Sequence, residues 1–137
     1  MRTQRTLGLL ALAALLILLP ACNTSRYGQL RARSADVKNA LEAERDQVLS
    51  AAEPNARQRL DHLTSLRYTL TAADLGLAAT RRVLPERDRP LAYDTLEQAY
   101  DTIEWNIPLL PGEGTRPMPV GFTGAGFDIN QFLSPPQ

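Results

Sequence analysis

The chain of 137 residues has one cysteine, one histidine, and Lys38 as its sole lysine. A single cysteine cannot close an intramolecular disulfide, so the fold must stand on packing. A single histidine, His62, cannot supply a multi-histidine metal site. No Cys–His nucleophile pair remains if Cys22 is blocked. Net charge is missing too, because 15 basic and 15 acidic side chains cancel. Loss of a leader carrying Arg2 and Arg5 would leave 13 basic groups against 15 acidic ones. Nucleic acid requires a concentrated basic face, and this balance offers none. These shortages point to a protein that is not an enzyme, holds no metal or cofactor, and binds no nucleic acid. The length suits one domain.

A leader is present in their place. "MRTQR" carries two positive charges, and "LGLLALAALLILLPA" is uncharged and almost wholly apolar. A basic start, a short apolar run and a small-residue exit have the form of a secretory signal. The run falls short of the roughly 20 residues a membrane-spanning helix needs. Pro20 would also break its end.

Leu19-Pro20-Ala21-Cys22 resembles the lipobox of bacterial lipoproteins, with leucine three residues before the cysteine and alanine directly before it. Pro20 departs from the more usual alanine or serine. The resemblance implies removal of residues 1–21, diacylglycerol on the Cys22 sulfur, and acylation of the new amino terminus. Two or more acyl chains suffice for stable anchoring, each buried CH₂ contributing roughly 0.8 kcal/mol. Asn23 follows the cysteine where inner-membrane retention favours aspartate, so the implied address is the outer membrane, facing the periplasm.

In the mature chain, residues 22–33 read as a lipidated, flexible tether at most about 40 Å long. Helical spacing then predicts three helices. The first runs over 34–52 from an N-cap at Ser34, with Val37, Leu41, Val48 and Ala52 on its inner face. The second runs from Pro54 to about Arg82 through Leu60, Leu63, Leu66, Leu70, Ala73 and Leu77. Thr69, Thr71 and Gly76 weaken its second half and suggest a bend near 69–73. The third runs over about 90–106, with Asp88 placed to cap it and Pro90 in its first turn. It contains the echo "YDTLEQA", "YDTIEWN", whose Tyr93, Leu96, Tyr100, Ile103 and Ile107 form a 3-4-3-4 seam. The expected fold is all-α: a small three-helix bundle or helical hairpin over 34–107.

Residues 108–137 hold six of the ten prolines and five of the eight glycines, so no helix is expected there. All three phenylalanines also lie there, at Phe122, Phe127 and Phe132. Chains that stay solvated are poor in aromatics, so this tail should dock. The rings could anchor a partner, together with Trp105, or could pack on the bundle itself, and the sequence leaves both open. Trp105, Tyr93 and Tyr100 otherwise read as core or core-edge residues.

The carboxylates Asp94, Glu97, Asp101 and Glu104 form a stripe about 15 Å long on one helix. They do not converge as calcium or di-iron ligands must. They should face water, or arginines such as Arg59, Arg67 and Arg81. His62 reads as a half-exposed helix residue, and the glycines of "GFTGAGFD" as turn residues with no helix behind them to cradle phosphate. The expected function is a lipid-anchored structural or assembly subunit of an envelope complex with a protein partner. The alternative is a periplasm-facing carrier or sensor holding an apolar ligand among Leu63, Leu70, Leu96, Tyr100 and Ile103.

Overall fold

A computed structural model of the chain describes residues 25–124 and 126–136. Three helices make up most of it: α1 (Arg26–Ala51), α2 (Ala56–Val83) and α3 (Arg89–Asn106). Each packs on the other two, giving an up-down-up three-helix bundle rather than a hairpin. A 3₁₀ turn over Glu86–Asp88 joins α2 to α3. Beyond α3 come a two-residue hairpin, β1 (Phe122–Thr123) with antiparallel β2 (Gly126–Phe127), and a 3₁₀ turn over Ile129–Phe132. The leader and Cys22 lie outside the described residues.

The first helix begins eight residues before the expected start. Ser25, not Ser34, is its N-cap, and the Ser25 side chain accepts from the Gly28 N–H at 3.1 Å. Most of the expected tether is therefore helix, and Leu30 within it is buried at 3% exposure. The seam runs Leu30, Ser34, Val37, Leu41, Glu44, Val48, so two of its six positions are polar. The first of these, Ser34, separates Leu30 from Val37 and hides the first turns of α1 from a search for apolar periodicity. Both are satisfied across the bundle: Ser34 Oγ donates to Asp74 Oδ1 at 2.5 Å, and Glu44 pairs with Arg59 of α2. Ala52, expected on the inner face, is instead the exposed left-handed residue that ends α1, with φ of 49°.

The second helix is continuous through 69–73. The hydroxyls of Thr64, Thr69, Thr71 and Thr80 each donate to the carbonyl four residues back, which absorbs their hydrogen-bonding demand without breaking the ladder. Its last turn is finished from outside: Arg89 donates to the carbonyls of Leu84 and Arg81 at 2.9 and 3.0 Å. A cation on the final carbonyls also complements the helix dipole.

The third helix bears out the heptad reading. Tyr93, Leu96, Tyr100, Ile103 and Ile107 are all buried, and the inner leucines of α2 meet them in one core. Pro90 does fall in the first turn, but the Asp88 side chain makes no cap bond to α3. The Asp88 carboxylate turns to Ser134 at the far end of the chain and accepts from both its N–H and its hydroxyl. The tail thus leaves the bundle at Asn106, runs back along α2 and α3, and is held at the opposite end of the bundle.

Candidate functional site

The acidic stripe is met by arginines, though not the ones expected. Arg26 donates to Asp94 and Glu97 at 2.6 and 2.8 Å, and Arg33 to Asp101 and Glu104 at 3.0 and 2.6 Å. The two arginines are seven residues apart, as are the two carboxylate pairs, so parallel α1 and α3 repeat one rung per heptad. That is the structural content of the sequence echo. Arg59 is occupied by Glu44 and Glu53 instead. Arg33 holds the Glu104 carboxyl below its ordinary range. These rungs are half exposed, so each contributes on the order of 0–1 kcal/mol and acts chiefly on register.

A second polar contact lies deeper. The Tyr100 hydroxyl, on a fully buried side chain, donates to Asp74 Oδ1 at 2.9 Å. Ser34 donates to the same oxygen. One carboxylate of α2 therefore ties α1 to α3. Burial, and then the Asp74 charge, push the Tyr100 hydroxyl well above the usual tyrosine range. A phenol so held is a hydrogen-bond donor and not a proton source. His62 is likewise engaged within the fold, with its Nε2 2.9 Å from the Asn106 carbonyl, which can only accept.

The three phenylalanines come together on the bundle. Phe127 stands between the other two, its ring centre 5.3 Å from that of Phe122 and 5.1 Å from that of Phe132. Phe122 and Phe127 pack against the hydrophobic core, and Phe127 sits directly on Gly76 of α2. Of the two readings of this set, the structure displays the intramolecular one. Trp105 belongs elsewhere. It is 48% exposed at the end of α3, its indole N–H donates to the Gly114 carbonyl at 3.2 Å, and the Arg116 guanidinium lies 3.6 Å from its ring centre. Such a flat, half-exposed aromatic with a cation stacked on it is the kind of surface partners use.

No family model, curated protein or solved structure matches the chain. Its chemistry must be judged on its own residues. Among the described residues no group of three or more histidine, cysteine or acidic side chains is placed to hold a metal ion, and none of the helices is long and apolar enough to cross a membrane. The five residues named for a ligand between the helices, Leu63, Leu70, Leu96, Tyr100 and Ile103, are each at most 5% exposed within the core.

The Asp88–Ser134 contact predicts an acid response. The bonds from Ser134 hold the Asp88 carboxyl below its ordinary range. A depressed carboxyl stabilises the fold above its unfolded pKa, roughly 3.9, and that contribution disappears as pH falls through the folded value. The end of the tail should therefore loosen below about pH 4, seen as a lower amide protection factor at Ser134. Asp88→Asn should flatten that response, and an unchanged acid profile in this variant would refute the assignment.

Proposed function

We propose that this protein is a lipid-anchored cell-envelope lipoprotein, a structural or assembly subunit held at the outer membrane and facing the periplasm. The observation that carries the reading is Leu19-Pro20-Ala21-Cys22 at the end of an uncharged apolar run. The architecture supports a binding rather than a chemical role. Several of its titratable groups are engaged in cross-helix contacts, among them Arg26–Asp94, Arg33–Glu104 and Tyr100–Asp74. The half-exposed Trp105 with Arg116 is the surface we assign to a protein partner.

Intact mass of the protein extracted from its native membranes should show an N-terminal Cys22 carrying diacylglycerol and a further acyl chain. Cys22→Ser should leave an uncleaved precursor without acyl mass. A variant still cleaved before residue 22 and still membrane-bound would overturn the anchor. For the partner, a complex recovered by gentle solubilisation should weaken with Trp105→Ala while the bundle keeps its helicity. Recovery of the wild type solely as a free monomer would remove the assembly role.

A further inference from the structure

Because the helices run up, down and up, the start of α1, the end of α2 and the start of α3 share one end of the bundle. Ser134 is fixed there as well, through Asp88. We propose that this end is a docking surface for a membrane bearing anionic headgroups, the same membrane that anchors Cys22, and the proposal rests on that anchor.

Reach is the first argument. With helix from Arg26 onward, only four peptide steps separate Cys22 from the bundle, a span of at most about 14 Å. The expected tether of about 40 Å would have let the domain stand clear of the bilayer, whereas this length keeps one end of the bundle within about 14 Å of the anchor. The opposite end, 28 residues of α2 away, lies about 40 Å further out.

Charge is the second. Arg81 and Arg82 close α2, and Arg87 follows in the turn, all three exposed. The carboxylates nearby are largely committed: Asp94 and Glu97 to Arg26, and the buried Asp88 to Ser134. Glu86 is an exposed carboxylate of this end. That carboxylate, with Arg26, Tyr27, Arg81, Arg89 and Tyr93, lines a cavity of about 390 Å³, where three arginines stand against one acid. The Arg81 guanidinium lies over the Tyr27 ring, 4.5 Å from its centre. Headgroup phosphates fit that arrangement.

Apolar exposure is the third. Val83, Leu91 and Leu133 are 54%, 64% and 44% exposed, and all three belong to this end. Aliphatic side chains interspersed with arginines suit the boundary between headgroups and acyl chains.

The test uses protein purified from native membranes, whose mass first reads the anchor by itself. With the Cys22 sulfur acylated, Pro136→Cys near the docking end, or Gln58→Cys at the far end, provides the free thiol for a fluorophore. The protein is reconstituted into phosphatidylcholine vesicles with or without phosphatidylglycerol, carrying a headgroup-level quencher. With phosphatidylglycerol the residue-136 label should be quenched severalfold more than the residue-58 label. Each arginine near an anionic surface is worth about fivefold in occupancy, so Arg82→Gln with Arg87→Gln should cut docking about 25-fold, and high salt should do the same. Equal quenching at both positions, or quenching at residue 136 that phosphatidylglycerol does not raise or the arginine pair does not lower, would overturn the docking surface. If no acyl mass is found, the anchor falls on its own. Sedimentation of the unlabelled chain then decides docking: binding that needs phosphatidylglycerol and both arginines retains it, and equal binding to both vesicles ends it.

Discussion

Gly76→Ala should destabilise the protein by about 1–2 kcal/mol, although the same change in an exposed helix interior would stabilise it by about 1 kcal/mol. Gly76 lies inside α2 and is buried. A Cβ there would sit 2.6, 2.7 and 2.8 Å from Cδ1, Cγ and Cβ of Phe127. Those atoms are at the root of the ring, so rotation about the side chain cannot clear them and the hairpin backbone must move. Gly126, next in the hairpin, holds φ at 117° and faces Ala72 of the same helix. Overpacking of this kind costs about 1–3 kcal/mol, more than the helix propensity returns. The penalty is capped by undocking of the tail, which would give up the packing of all three phenylalanines. Chemical denaturation should show the loss, and amide exchange should place it in residues 118–134. The decisive control is sign reversal: with Phe127→Gly already present, which removes all three of those atoms, Gly76→Ala should become neutral or stabilising. If Gly76→Ala stabilises the otherwise unaltered chain, Phe127 does not occupy this seat.

The same glycine shows where sequence reading succeeds and where it stops. Helix α3 and the inner face of α2 are legible because their apolar positions recur without interruption, from Leu60 to Leu77 and from Tyr93 to Ile107. Burial of such a stripe is a local demand that any partner helix can meet. The start of α1 is hidden because Ser34 occupies a seam position, and its partner Asp74 is distant in sequence. Gly76 reads as a weak point of a helix because its value lies in a ring 51 residues later. Asp88 reads as a cap because nothing local points to Ser134. Each miss is a contact between a residue of ordinary type and a remote one. The acidic stripe does share one face, as its spacing requires. Its arginines escape detection because residues 26–33 have the composition of a tether, so Arg26 and Arg33 are not expected on a helix at all.

Asn106→Ala should cost about 2–3 kcal/mol and release the first part of the tail. Asn106 is 6% exposed and bonds the backbone of Arg116 twice: Nδ2 donates to the Arg116 carbonyl and Oδ1 accepts from its N–H, both at 2.8 Å. Each bond contributes about 1 kcal/mol net, and leaving part-buried backbone groups unpaired adds to the loss. The main-chain carbonyl that receives His62 is untouched by the substitution, so the α2–α3 contact should persist. Trp105 is the sole tryptophan, and its ring carries Arg116, so its emission reports the release directly. A shift in emission at unchanged helicity is the expected signature. Asn106→Asp separates the two bonds. It keeps an acceptor for the Arg116 N–H but sets a carboxylate oxygen against the Arg116 carbonyl in a poorly solvated place. At neutral pH it should cost at least as much as alanine. A carboxyl penalised in this way binds its proton more tightly when folded, so its deficit should shrink as pH falls toward 4, the reverse of the acid loosening at Asp88. An Asn106→Asp protein as stable as wild type at pH 7 would mean that the tail is not clamped at this residue.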